Sequence, residues 1–550
     1  MKIFDATGVF LRQYRYPLSL AVLSGALTGS AFPPVNFPWL SLVGLIPLLM
    51  AQGHAKSLRS AALYGFTAGL IAGLIATWPL STAEAWSGWA VVTSEQLAAA
   101  TIYRWWFLHG IWLLLGLSVG IFWAFFAMAL YWCPRRNRPL NIALLAPVLW
   151  VLLEWLRVQI TMGYQWMMLG DRLTSLPWLA QSAAYGGVWL LSAIVVAINA
   201  AIYIMICYRN IARFWLPPAV IGIMLVILAT AGAYRINRLE TPQPGVGVAA
   251  IQFSKGINTL RDYTKFGMDK HYLRFIQQAY ERFSKRFDIL ILPESVGFGS
   301  MSLDQSVSTL LPEKRTSNIK QWSEAFKPLT KDAPTALILG MDTIEKGNDY
   351  NSIIIWTKDG PVGRYHKRQL VPFAEYKPDI SRFFSPSGKS IYKAGTGAQL
   401  LELGGLQAGF FICQEVLFAG LIRDSVLQGA EVLFSSGNDG VFSSPAVADV
   451  NDNAARIRAI EAGRFIVRAM KTGRSAVITP TGKEIAYAET GKNGIIFSRI
   501  SPLTELTPYV RYGDWLPILF AAILMLWLLR NSANIKSNGK TADNNSTDNT

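Results

Sequence analysis

The sequence predicts a membrane-spanning α-helical bundle that carries one α/β domain. Three observations point there. The chain has 550 residues, 52% of them hydrophobic and only 16% charged, whereas soluble domains carry about 25% charged residues. Long apolar segments crowd the first 233 residues and recur once near the C-terminus, each close to the length a bilayer crossing needs. Between them, residues 240–500 alternate short apolar runs with stretches of helical spacing, the pattern of a layered α/β domain.

The apolar segments lie at about 17–32, 38–53, 60–80, 106–132, 140–156, 178–206, 214–233 and 514–530. The first two are short and joined by the tight link Phe32–Pro38, so they read as a helical hairpin or as a span followed by a re-entrant segment. Charge alternates between segments. Basic residues mark the N-terminus (Lys2, Arg12, Arg15), the links holding Lys56 and Arg59, Arg135 and Arg136, and Arg209 and Arg213, and the tail after Arg530. The intervening links are poorer in Lys and Arg. By the positive-inside rule both termini are cytoplasmic, and seven spans place residues 234–513 on the outer side. The predicted domains are a seven-span bundle over 1–233, an outer α/β domain over 240–505, a returning span over 514–530 and a polar, disordered tail over 531–550. Trp86, Trp89, Trp105 and Trp106 flank the 81–105 link, as interface aromatics do. Glu154, Arg157 and Trp166 surround the outer end of the fifth span.

Within 240–500, strands are expected at Val246–Ile251, Ile289–Leu292, Thr335–Leu339, Ser352–Trp356, Ala408–Ile412 and Val432–Ser435. Helices are expected at Asp269–Phe283, Leu421–Gln428 and Ala454–Met470. The 51 basic against 35 acidic residues leave a formal charge of +16, which in a membrane protein belongs to cytoplasmic loops and anionic lipid. No basic patch interleaved with aromatics suggests nucleic acid. The three cysteines and four histidines are scattered, which predicts neither a metal site nor a disulfide framework. The first apolar segment runs into Phe32-Pro33-Pro34 rather than a small-residue cleavage site, so no cleavable signal peptide is predicted.

One stretch looks chemical. Gly409–Ile412 leads an apolar run into the lone Cys413, with Glu415 two residues on. Glu294 ends the run Ile289–Pro293, and Lys367 precedes Leu370–Phe373. A thiolate, a base to make it and a cation for an oxyanion would form one site at strand ends. On spacing alone the same residues also read as a small core cysteine, a cap or surface ion pair, and a solvated basic turn.

These residues carry a resemblance. Pro293-Glu294, then Tyr365–Tyr376, then Ile412-Cys413-Gln414-Glu415 resemble the three catalytic motifs of the nitrilase superfamily. Leu370-Val371-Pro372-Phe373 and Glu375 after the lysine, on a multi-span bundle, resemble the apolipoprotein N-acyltransferase family. Further similar stretches are Ala31–Pro34, Glu154–Arg157, Gly163–Trp166, Gly186–Val188, Tyr350–Ser352, Asn438–Gly440 and Arg458–Arg464. The resemblance covers about residues 15–530 and implies a nitrilase-like αββα sandwich.

It implies Glu294 as general base, Lys367 at the oxyanion and Cys413 as nucleophile, with support or substrate binding by Glu375, Glu415, Asn351 and Arg458. It also implies a ping-pong reaction without cofactor or metal. Cys413 takes an acyl chain from a membrane phospholipid as a thioester. The α-amine of an S-diacylglyceryl-cysteine at a lipoprotein N-terminus then accepts it. The implied location is the bacterial inner membrane, with the catalytic domain in the periplasm. This chain departs from the family pattern at Gln414, where a Tyr is usual, at Val441 in place of an aromatic, at Lys471 in an Asn-rich turn, and at Ser254 near the first strand. Those departures keep a second expectation open: a membrane-bound acyltransferase or amidase of the same architecture with another acceptor. A transporter is disfavoured, since neither an inverted repeat nor paired broken helices are visible.

Overall fold

The computed structural model describes residues 2–83, 94–133, 138–161, 165–240, 245–254, 268–283, 286–294, 300–303, 316–317, 336–372, 375–376, 392–442 and 444–544. Trp86, Trp89, Arg135, Arg136, Gly163 and Tyr164 lie outside them.

The bundle comprises α1 (Lys2–Ser30), α2 (Ile46–Gly53), α3 (Leu58–Thr77), α4 (Ser94–Tyr131), α5 (Arg138–Ile160), α6 (Pro177–Ala180), α7 (Ala183–Cys207) and α8 (Leu216–Leu239). Five helical stretches among the described residues are long and apolar enough to cross a bilayer: Leu58–Thr82, Trp105–Tyr131, Arg138–Ile160, Ala183–Cys207 and Ala212–Leu239. Close backbone approach holds α1, α3 and α4 together. A Cβ on Gly65 would lie 2.3 Å from the Trp123 carbonyl, and one on Gly25 would lie 2.4 Å from that of Ala68. Small residues are what permit such contact where burial from water supplies no drive.

The expected segment 38–53 is not one helix. It is a 3₁₀ turn, Pro38–Leu42, a break, and the eight residues of α2. A break at membrane depth exposes polar backbone, which must find partners inside the protein. Buried Asn199 of α7 supplies them: its Oδ1 accepts from Leu45 N at 2.9 Å and its Nδ2 donates to the Ser41 carbonyl at 2.8 Å. Segment 178–206 is likewise interrupted, being split into α6 and α7, with non-helical backbone at Gly186 and Gly187. Glu154 and Arg157 close the loop after α5: Leu169 N donates to Glu154 Oε1 at 2.9 Å, and Arg157 donates to the Trp166 carbonyl at 2.8 Å.

The α/β domain has two sheets. The first runs β14 (Gly494–Ile500), β1 (Val246–Gln252), β2 (Ile289–Ile291), β5 (Ala336–Glu345), β3 (Ser300–Ser302), β4 (Thr316–Ser317), with β6 (Asn348–Thr357) and β7 (Gly360–His366) continuing from β5. The second runs β13 (Glu484–Tyr487), β12 (Ala476–Ile478), β11 (Phe465–Lys471), β10 (Val432–Asn438), β9 (Leu406–Ile412), β8 (Leu401–Leu403). Alternation along each strand sorts the layers. Phe410, Ile412, Phe434 and Val467 meet Val248, Ile291, Ile338 and Ile353 between the sheets. α9 (Met268–Phe283) covers the first sheet through Ile276 and Tyr280. α10 (Ala419–Leu427) and α11 (Ala446–Ala462) cover the second. This is the expected αββα sandwich.

The expected helix 454–470 divides. α11 starts earlier, at Ala446, and stops at Ala462, where Gly463 takes φ 63° and caps it; residues 465–471 then become β11, parallel to β10. A left-handed glycine ends a helix at little steric cost, and the β-branched pair Ile466-Val467 suits the buried strand that follows.

α11 also seats the domain on the bundle. One continuous apolar cluster joins Phe411, Leu433 and Ile466, the α11 residues Val447, Ile457 and Ile460, and Leu149 and Val195 of the bundle. At the α7 kink, Glu461 Oε1 accepts from Val188 N at 2.8 Å, a carboxylate on a helix N-terminus. After α12 (Pro508–Tyr512), Asp514 accepts from the indoles of Trp155 and Trp189 at 2.9 and 2.8 Å. The last helix, α13 (Trp515–Asn544), continues past Arg530 into the polar tail where no structure was expected; extending an existing helix avoids the nucleation cost.

Candidate active site

Three strand ends deliver the three expected residues. Glu294 follows β2, Lys367 follows β7 and Cys413 follows β9. A buried strand fixes the residue after it because the ladder holds both neighbours. Leu292 N donates to the Ile338 carbonyl at 2.8 Å, and Lys367 N to the Asn351 carbonyl at 2.9 Å. Glu294 and Lys367 are enclosed, at 8% and 1% exposed, while Cys413 stays partly accessible.

Cys413 sits at a sharp corner. Its φ is 53°, in the left-handed region, and it opens the 3₁₀ turn Cys413–Leu417. Such conformations cost free energy in non-glycine residues and cluster at functional sites. Glu415 over-determines the corner. Fully buried, its carboxylate accepts from Ile412 N at 2.6 Å, Tyr365 Oη at 2.9 Å, Arg368 N at 2.7 Å and Gln369 N at 2.9 Å. One side chain therefore ties the cysteine turn to the lysine loop.

Glu375 and Asn351 complete the cluster. Lys367 Nζ donates to Glu375 Oε1 at 2.8 Å. Asn351 Nδ2 donates to Glu294 Oε1 at 2.5 Å and to Glu375 Oε1 at 2.9 Å. Of the expected supporting residues, Asn351, Glu375 and Glu415 thus join the triad. Arg458 does not. It pairs with Glu461 at 3.1 Å and donates to Gln165 Oε1 at 2.9 Å, at the seam with the bundle.

Electrostatics set the resting protonation. Burial raises the Cys413 thiol pKa and the Glu294 carboxylate adds to it, while Lys367 pulls the other way; the net direction is upward. Burial also raises Glu294, against the lowering effect of Lys367. For Lys367 burial opposes the charge, but the carboxylates of Glu375 and Glu294 outweigh it and hold the ammonium. The arrangement is a neutral thiol, a strengthened base and a fixed cation. Chemically, such a thiol can act as a nucleophile if a base takes its proton, and a fixed cation of this kind can stabilise an oxyanion.

Asp342 was not anticipated. It lies opposite Asn351 in the β5–β6 register. Burial lifts its pKa to about 6; the Tyr392 hydroxyl opposes this, and nearby Glu294 and Glu375 reinforce it. A lone carboxylate inside the apolar run Ala336–Ile344 was its signal in the sequence. Lys471, one of the departures from the family pattern, is fully buried at the end of β11, and its charge lowers the Glu294 pKa.

Comparison with known proteins finds relatives of both domains. The Apolipoprotein N-acyltransferase N-terminal domain matches residues 24–201, and the Carbon-nitrogen hydrolase domain matches residues 247–509. The apolipoprotein N-acyltransferase of Pseudomonas paraeruginosa is 28% identical over 527 residues, 93% of this chain and 95% of that protein. Those of Photobacterium profundum and Gloeobacter violaceus are each 26% identical, covering 93% and 92% of this chain and 94% and 93% of theirs. Among solved structures, an amidase from Nesterenkonia sp. aligns at 18% identity and a TM-score of 0.37, over 52% of this chain and 98% of its own. With both domain matches in order and relatives aligned nearly end to end, the chain belongs to the apolipoprotein N-acyltransferase family.

Proposed function

We propose that this membrane acyltransferase moves an acyl chain from a phospholipid to the α-amine of the S-diacylglyceryl-cysteine at a lipoprotein N-terminus. The convergence of Cys413, Glu294 and Lys367 at the strand ends of a nitrilase-like domain carries the reading. In the first half-reaction Glu294 takes the Cys413 proton as sulfur attacks the ester carbonyl. The oxyanion forms against Lys367. Collapse breaks the ester bond, and Glu294 returns its proton to the departing lysophospholipid alkoxide. In the second half-reaction an amine attacks the thioester carbonyl and Cys413 leaves. Thioesters react readily with amines, which suits an amide product.

Asn351 and Glu375 are positioning residues in this scheme: one holds the base, the other holds the lysine. We place the protein in the bacterial inner membrane with seven spans before the catalytic domain and one after, both termini cytoplasmic and the domain periplasmic. The alternation of basic and non-basic links supports that orientation, as does the need for both membrane-anchored substrates to meet the site at one leaflet. A second reading, a thioester enzyme serving another amine, draws on Lys471, whose buried charge lies near the base.

The test is to incubate purified protein with acyl-labelled phospholipid, trap the acyl-thioester, and then add a diacylated lipopeptide. Wild type should form the adduct and pass it on as triacylated product. No adduct in wild type, or an adduct in Cys413→Ala, overturns the mechanism; an adduct that never reaches the lipopeptide favours the second reading.

A further inference from the structure

The turn after β10 holds a carboxylate that the triad chemistry leaves unused. Asn438 and Asp439 end β10 and begin a 3₁₀ turn, Asp439–Val441. The chain here lies directly on the nucleophile. The Asn438 carbonyl is 3.9 Å from Cys413 Sγ, and a Cβ on Gly437 would lie 3.2 Å from Cys413 Cα. Asp439 is 5% exposed. Its Oδ1 accepts from Asn451 Nδ2 at 2.8 Å. Its Oδ2 is buried against Gly473, where a Cβ would lie 2.1 Å from it, and has no hydrogen-bond partner among the described residues. A buried carboxylate oxygen left unpaired is costly, and it is relieved by protonation, an ordered water or a bound cation.

The second half-reaction brings one. An α-amine at neutral pH arrives as ammonium, while the thioester needs a free amine. The turn also faces the membrane bundle: Ala83 at the end of the α3 stretch bridges to Phe442, and Ser444 N donates to Thr82 Oγ1 at 3.3 Å. The turn therefore sits at the junction of bundle and domain, next to the cysteine turn.

We propose that Asp439 Oδ2 anchors the protonated α-amine of the acceptor beside the Cys413 thioester. This rests on the acyl-transfer reading above. The proton balance closes with the groups present. The ammonium gives its first proton to Asp439, which releases it to solvent. The resulting amine attacks the thioester carbonyl, and its second proton passes through Glu294 to the departing Cys413 thiolate. Amide and thiol are the products. Burial raises the Asp439 pKa against the pull of Arg468 and Asn451, the direction that suits a proton acceptor.

Asp439→Asn keeps shape and removes charge. In the full-length protein with labelled phospholipid, the variant should form thioester at close to the wild-type rate. Transfer to a diacylated lipopeptide should fall roughly 30-fold or more, the loss expected for one partner of a buried charge pair, so that thioester accumulates. Hydroxylamine, which is uncharged at neutral pH, should cleave the wild-type and variant thioesters equally. The inference is overturned if Asp439→Asn transfers to lipopeptide at the wild-type rate. It is also overturned if thioester formation, hydroxylamine cleavage and transfer all slow by one common factor, which marks a structural role. Absence of thioester in the wild type instead overturns the acyl-enzyme reading on which the inference stands.

Discussion

At Cys413 the backbone takes a left-handed φ of 53° and burial holds the thiol protonated. Neither is favourable by itself, and both become useful once Glu294 and Lys367 face the sulfur. Cys413→Ala should lower acyl transfer by roughly 10⁴-fold or more and abolish the thioester, read by the trapping assay. Glu294 gives a pH prediction. Its folded pKa is raised by burial, and in the proposed scheme it acts as the carboxylate. Thioester formation should therefore fall as pH drops, with a midpoint above the ordinary glutamate value of about 4.3, read in single-turnover rates. The stability sign is the opposite. A raised folded pKa means the native state binds that proton more tightly, so the contribution to folding is full below the ordinary value and is lost as pH rises through the raised one. Glu294→Gln should accordingly raise Tm at neutral pH while abolishing the adduct. The triad residues were legible as charged or nucleophilic groups at the ends of apolar runs. Asp342 was missed because its significance depends on lying across a ladder from Asn351, a pairing that no local pattern announces.

Turns decide the chemistry at the scale of elements. Glu415 satisfies four donors drawn from the cysteine turn and the lysine loop. Losing it leaves buried N–H groups unpaired at about 1–3 kcal/mol each. Glu415→Ala should thus lower Tm and cut kcat for thioester formation far more than it changes the KM for phospholipid, since it acts on the corner rather than the substrate. A steady-state split of the two constants tests this. The strand positions around the site were readable from apolar runs. The boundary between α11 and β11 was not, because Ala454–Met470 keeps helical spacing across Gly463. Only the partner strand β10, waiting beside residues 465–471, turns that stretch into sheet.

For the whole molecule, the seam between domain and bundle is a structural feature in its own right. Gly187 has φ 65°, and a Cβ there would lie 2.5 Å from the Tyr509 ring and 3.2 Å from Glu461 Oε1. Gly187→Ala combines a positive-φ backbone penalty of about 1–3 kcal/mol with an overpacking cost of about 1–3 kcal/mol. It should loosen the domain from the bundle, detected as a lower Tm and faster limited proteolysis, with acyl transfer reduced. Arg458 belongs to this scale too. The family motif placed it among the substrate contacts, whereas its partners Glu461 and Gln165 make it part of the joint.

By itself the sequence indicated the apolar helical bundle and the layered α/β domain, and the family resemblance pointed to Glu294, Lys367 and Cys413. Hydrophobic length, strand-type runs and residue chemistry are local properties, written along the chain. The tertiary structure alone decided which helices are broken and what repairs them, where α11 stops, and how Glu415, Asn351 and Glu375 close around the triad. It also decided that Asp439, next to the Asn438 carbonyl that lies on the thiol, keeps an oxygen without a hydrogen-bond partner among the described residues. Those outcomes depend on which groups meet across 12 to 150 or more residues of intervening chain, and burial sets the energy of such meetings only after the layers have packed.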